Sequence, residues 1–159
     1  MNHELTTSLG LLEIVFTDAN HCHVSYPRNS EITLRGVAYR VSCHLFRWTD
    51  NQFHVGREDQ NTYERRQQLH VTRAQWVKVS DMNASESART KIEAVVTMAA
   101  NEFVKANPDA ITAAQREYLQ DKLEAAETKY AEAVAAADEA RKTRDAAQAS
   151  FETFVKEAA

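Results

Sequence analysis

Val37-Ala38-Tyr39-Arg40-Val41-Ser42-Cys43-His44-Leu45-Phe46 sets Val37, Tyr39, Val41, Cys43 and Leu45 on one side and Ala38, Arg40, Ser42, His44 and Phe46 on the other. Successive side chains of a strand point to opposite faces, so this alternation predicts a half-buried strand of an antiparallel sheet. The same period extends upstream. Ile32 and Leu34 alternate with Thr33 and Arg35 before Gly36, and Cys22, Val24 and Tyr26 alternate with His21, His23 and Ser25. Leu12, Ile14 and Phe16 interleave with Glu13, Val15 and Thr17. Turn chemistry separates these runs at Thr17-Asp18-Ala19-Asn20 and Pro27-Arg28-Asn29-Ser30. Downstream, Trp48-Thr49-Asp50-Asn51-Gln52 reads as a turn before Phe53-His54-Val55. Residues 57–80 are ambiguous. Leu69, Val71 and Trp76 fit a last strand, while Thr72-Arg73-Ala74-Gln75 fits the cap of a short helix.

Composition changes abruptly near Ser80–Ala84. Residues 1–83 hold all 6 His, both Trp, both Cys and all 3 Gly, with 9 Lys+Arg against 9 Asp+Glu. Residues 84–159 are crowded with Ala and carry 10 Lys+Arg against 14 Asp+Glu, which accounts for the net charge of −4. The expectation is an α+β chain: an antiparallel β-meander over 1–80, then an antiparallel helical hairpin over 81–159. Asn83-Ala84-Ser85-Glu86 has capping-box spacing, and Ile92, Val96, Ala99, Phe103 and Ala106 form one helical stripe. This places a first helix at 84–106, ended by Asn107-Pro108-Asp109 because the residue before proline leaves helical geometry. A second helix is expected over 112–157, opened by Thr112-Ala113-Ala114-Gln115 and free of Gly and Pro to its end.

That second helix carries a seven-residue repeat. Leu123, Tyr130, Ala137, Arg144 and Phe151 occupy one core position, and Leu119, Ala126, Ala133, Ala140, Ala147 and Phe154 occupy the other. Successive alanines permit a close helix-to-helix approach, and Leu119 and Phe154 bracket the stripe. At about 1.5 Å per residue the helices run roughly 35 and 70 Å, so half of the second lacks a partner within a hairpin. Leu119, Leu123, Ala126, Tyr130, Ala133, Ala137, Ala140, Ala147, Phe151 and Phe154 are therefore the expected partner-binding residues. Another copy of the chain or a client protein would cover them.

Chemistry is sparser. His21 and His23 share a strand face, and His44 on the same face of another strand makes a weak candidate trio for Zn²⁺. The acid such a hydrolase needs is not fixed, although Asp18 is close in sequence. Arg35, Arg40 and Arg47 with His21, His23 and Trp48 mix cations with aromatics, which would contact phosphates and stack bases. The net charge gives no support to coating of nucleic acid by bulk charge. Cys22 and Cys43 fall on apolar faces as small core residues, and two cysteines do not make a disulfide scaffold. No nucleophile elbow, Walker loop or zincin helix occurs, so no catalytic residue and no cofactor is assigned. No apolar run reaches membrane-spanning length, and Met1-Asn2-His3-Glu4-Leu5 lacks the basic flank of a secretory signal. The expected location is cytoplasmic.

Ile32-Thr33-Leu34-Arg35-Gly36-Val37-Ala38-Tyr39-Arg40-Val41-Ser42, with His44-Leu45 and Arg47-Trp48, resembles segments of small accessory proteins of bacteriophages and their hosts. The resemblance covers under a fifth of the chain. It implies an interaction protein, some of that kind blocking host or defence machinery. The expected function is non-enzymatic binding through the helices, by self-association or by gripping a protein. Nucleic-acid binding is the alternative, and a His-based metal-dependent hydrolase the third reading.

Overall fold

A computed structural model describes residues 2–27 and 30–157. Seven strands form one antiparallel sheet: β1 (Asn2–Thr7), β2 (Gly10–Asp18), β3 (His21–Ser25), β4 (Ile32–Leu34), β5 (Val37–Arg47), β6 (Phe53–Val55) and β7 (Leu69–Arg73). The described residues also form three α-helices, α1 (Thr62–Gln67), α2 (Glu86–Ala106) and α3 (Pro108–Glu157), and a 3-10 turn at Val79–Asp81. Of the expected Pro27–Ser30 turn, Arg28 and Asn29 lie outside the described residues.

The alternating stretch is the hub of the sheet. β5 pairs with β3 and β4 along one edge and with β7 and β6 along the other. Tyr39, Val41, Cys43 and Leu45 are buried, as their period requires. Val37 is 38% exposed, because it follows the Arg35-Gly36 turn at the strand's end. Leu5, Leu12, Ile14, Phe16, Cys22, Val24, Ile32, Leu34, Phe53, Val55, Leu69 and Val71 complete the sheet's share of the core. Tyr26, expected on that face, lies past the end of β3 and is exposed.

The sequence reading missed two elements. β1 pairs with β2 from Asn2↔Val15 to Thr7↔Gly10 and buries only Leu5, so it carries almost no apolar pattern. α1 is a short helix with no buried residue, closed by a capping box between Asn61 and Glu64. In the ambiguous segment, Leu69 and Val71 do belong to a strand, whereas Trp76 lies beyond it, exposed with Val77 and Val79.

α2 starts later than its sequence spacing suggests. Ser85 is the N-cap and accepts from the Ala88 N–H, while Asn83 is drawn into a bridge with Thr72. Its expected stripe is real, but it packs on the sheet, against β1 and β6, with Ala88, Ile92, Val96, Ala99 and Ala100 buried. An amphipathic stripe declares a buried face and not what buries it, and here the sheet buries it. α3 begins at Pro108 and not at Thr112, because proline's fixed φ suits the first helical turn and the lost N–H has no helical acceptor there. Its first turns serve the same core: Ala114 is buried, Ala110 and Ile111 pack against the cluster, and the Gln115 side-chain carbonyl accepts from the Ala19 N–H at 2.9 Å. The compact units divide between Tyr118 and Leu119.

Candidate interaction surfaces

The second unit is helix alone, and every described residue from 119 to 157 is exposed. Leu123 is 53% exposed, Phe151 65% and Phe154 67%, with Leu119, Tyr130, Val134 and Val155 also open. Glycine and proline are absent and alanine abundant, so local propensity favours the helix. Polar residues add support: Lys142 reaches Glu139 at 2.7 Å, Arg141 reaches Asp138 at 3.3 Å, and Gln120 donates to Glu124 at 2.9 Å. The expected seam residues Leu119, Ala126, Ala133, Ala140, Ala147 and Phe154, with Leu123, Tyr130, Ala137 and Phe151, all lie on this segment, open to solvent.

The histidines do meet. His23 and His44 are cross-strand partners, with ring centroids 4.7 Å apart. His21 Nε2 lies 3.4 Å from His44 Nδ1, and His21 stacks on Phe46 at 4.4 Å. His23 Nε2 shares a hydrogen bond with Ser42 Oγ at 2.9 Å. Burial first, then the neighbouring His44, lowers the pKa of His21 from its usual 6.5, and the same two causes lower His23. Among the described residues no group of three His, Cys, Asp or Glu side chains is placed to hold a metal ion.

Of the five residues expected to form a cationic face, Arg40, His21 and His23 share one side of the sheet. Arg35 sits in the turn between β4 and β5 at φ 51°. Arg40 lies 3.5 Å from Glu31 and over the Tyr26 ring at 5.8 Å. Arg47 pairs with Phe53, on the opposite parity of β5 from Arg40, so strand geometry turns it to the other side. Arg40 shares the parity of His21 and His23, since Ser42 and His44 of β5 pair with Ser25 and His23, while the lowered pKa values of the two histidines remove their positive charge at neutral pH. Glu4 and Glu13, paired in register across β1 and β2, share that parity and oppose an anionic ligand.

A groove of about 1000 Å³ lies along α2, between it and the segment that runs from β6 into α1. Trp48, His54, Arg65, Glu93, Met98 and Asn101 are among its lining residues. The Trp48 indole stacks on His54 at 4.2 Å, donates from Nε1 to the Gly56 carbonyl at 2.9 Å and lies under the Arg65 guanidinium at 5.3 Å. His54 Nε2 is 2.7 Å from Asp50 Oδ2. Burial raises the Glu93 carboxyl above its usual range, against the opposing pull of Arg89 and Arg65. The sequence offered one signal of this groove, the Asn61-Thr62-Tyr63-Glu64 capping spacing that begins α1. Cys22 and Cys43 are free, buried and pushed up in pKa by burial, which keeps them protonated and unreactive.

No family model matches the sequence, and neither a curated protein nor a solved structure is significantly similar to it. Among the described residues no helix is long and apolar enough to cross a membrane.

Proposed function

We propose that the chain is a non-enzymatic association protein whose α3 segment pairs with another helix, so that the sheet unit is presented in multiple copies. One observation carries the reading: residues 119–157 repeat apolar side chains every seven positions and bury none of them. A helix of roughly 58 Å with no buried face would draw stability from propensity and surface pairs alone, whereas pairing would hide its phenylalanines and leucines. The resemblance of Ile32–Trp48 to phage accessory proteins supports a binding role of the kind that blocks host or defence machinery. Nucleic-acid binding has less support, since Arg35, Arg40 and Arg47 do not share a face.

Sedimentation of the intact chain up to about 100 μM tests this, because mass action makes association concentration-dependent. The expected result is a dimer or larger species, reduced to monomer by Leu123→Glu with Phe151→Glu while the sheet unit melts unchanged. A monomer throughout that range would overturn the reading.

A further inference from the structure

We infer that the occupant of the α3 seam is a second copy of this chain, lying antiparallel, with the two-fold axis passing beside Ala135. The inference rests on the association reading above and adds partner, orientation and register.

The seam is self-complementary, as a two-fold interface requires because the same patch must fit itself. In an antiparallel pair centred on Ala135, Leu119 faces Phe151 of the second copy and Leu123 faces Ala147. Ala126 faces Arg144, Tyr130 faces Ala140, and Ala133 faces Ala137. From the Leu123–Ala147 layer inward each large side chain meets an alanine, so one narrow helix separation serves the centre of the seam. Val134, an exposed apolar residue outside the repeat, meets its own counterpart at the axis. Phe154 lies across from Arg116, whose guanidinium can stack on the ring.

Charge points the same way. On the seam's flanks Glu127 faces Arg141 of the second copy, twice by symmetry, and no like charges face each other. Lys129 faces Thr143, and Gln120 faces Gln148. A parallel, in-register pair would instead set Arg144 against Arg144 and Tyr130 against Tyr130 in the seam. Arg144 already holds Asp145 at 2.6 Å, a neighbour that lies off the seam and cannot neutralise two facing guanidinium groups inside it. The parallel arrangement would also demand wide spacing at Tyr130 and close spacing at Ala133, Ala137 and Ala140. A foreign helix would need none of this symmetry about a single point.

Charge reversal in the full-length chain tests the register. Glu127→Arg should weaken dimerisation about tenfold, and Glu127→Arg with Arg141→Glu should restore it. These two residues stand about 21 Å apart along one helix, so rescue has to occur between chains. Spin labels at the outward positions Asp121→Cys, Ala135→Cys and Ala149→Cys then read orientation, because native Cys22 and Cys43 are buried. The antiparallel pair predicts a short distance at 135 and axial offsets of about 42 Å at both 121 and 149. Equally short distances at all three sites, or absence of rescue in a dimer, would overturn this arrangement while leaving association intact. A monomeric chain at high concentration would overturn both, leaving a foreign helix as the occupant.

Discussion

Asn101 on α2 and Phe53 on β6 exchange two hydrogen bonds. The Phe53 N–H donates to Asn101 Oδ1 at 2.8 Å, and Asn101 Nδ2 donates to the Phe53 carbonyl at 2.9 Å and to the Thr97 carbonyl at 2.9 Å. A side-chain amide thus does for the three-residue edge strand what a neighbouring strand would do, and it fixes α2 against β6 beside the groove. Asn101→Leu keeps similar bulk but strands both Phe53 backbone groups, at a cost of about 1–3 kcal/mol. Asn101→Asp removes the donor alone and should cost less at low pH, where the protonated acid can donate to the carbonyl. Denaturant unfolding of both variants across pH checks the ordering.

Strand parity gives a second prediction. Val41 is fully buried, and Ser42, one residue along, is half-buried beside His23. Val41→Asp buries an unpaired charge and should unfold the sheet unit. Ser42→Asp should keep the fold and raise the His23 pKa through an opposite charge. Proton resonances of the His23 ring, followed with pH, report that shift.

The turn between β4 and β5 stores strain at one residue. Arg35 has φ 51° and Gly36 φ 76°, the left-handed pair that a two-residue hairpin turn demands. Asparagine tolerates this region better than arginine, so Arg35→Asn should stabilise by about 0.5 kcal/mol. A higher denaturation midpoint at unchanged slope is the expected readout, and because Arg35 is separated from the other arginines no loss of assembly should accompany it.

Acid sensitivity follows from the histidine patch. His21 and His23 have folded pKa values below 6.5, so between those values and 6.5 the unfolded chain binds more protons. Their effect is absent above 6.5, and stability falls as pH drops through that value. Glu93 is shifted the opposite way, and its folded form binds the extra proton in a window opening at 4.5, so it partly offsets the loss at lower pH. The melting temperature should therefore drop on moving below 6.5, and His21→Asn with His23→Asn should flatten that drop. A thermal-melt series in matched buffers measures both slopes.

What the sequence determined by itself is local. Period two from Leu12 to Leu45 specified which side chains are buried, since a strand cannot turn consecutive residues to one face. Helix-forming composition and the Asn107-Pro108 break specified two helices and their junction, and the seven-residue repeat was legible because covalent spacing alone sets it. Tertiary structure decided everything that depends on a partner. β1 and α1 carry one buried residue and none, so their sequences hold almost no hydrophobic pattern, and only pairing and capping place them. The stripe Ile92, Val96 and Ala99 was visible, yet its choice of the sheet over a helix was not, because burial of a stripe is satisfied equally by either. Arg47 lay beyond the stretch that alternates in sequence, and only the pairing of β5 with β6 extends the strand to it and sets it on the opposite side from Arg40. The groove joins residues from Trp48 to Lys105 that have no mutual spacing in the chain, so it exists only once α2 lies along β6.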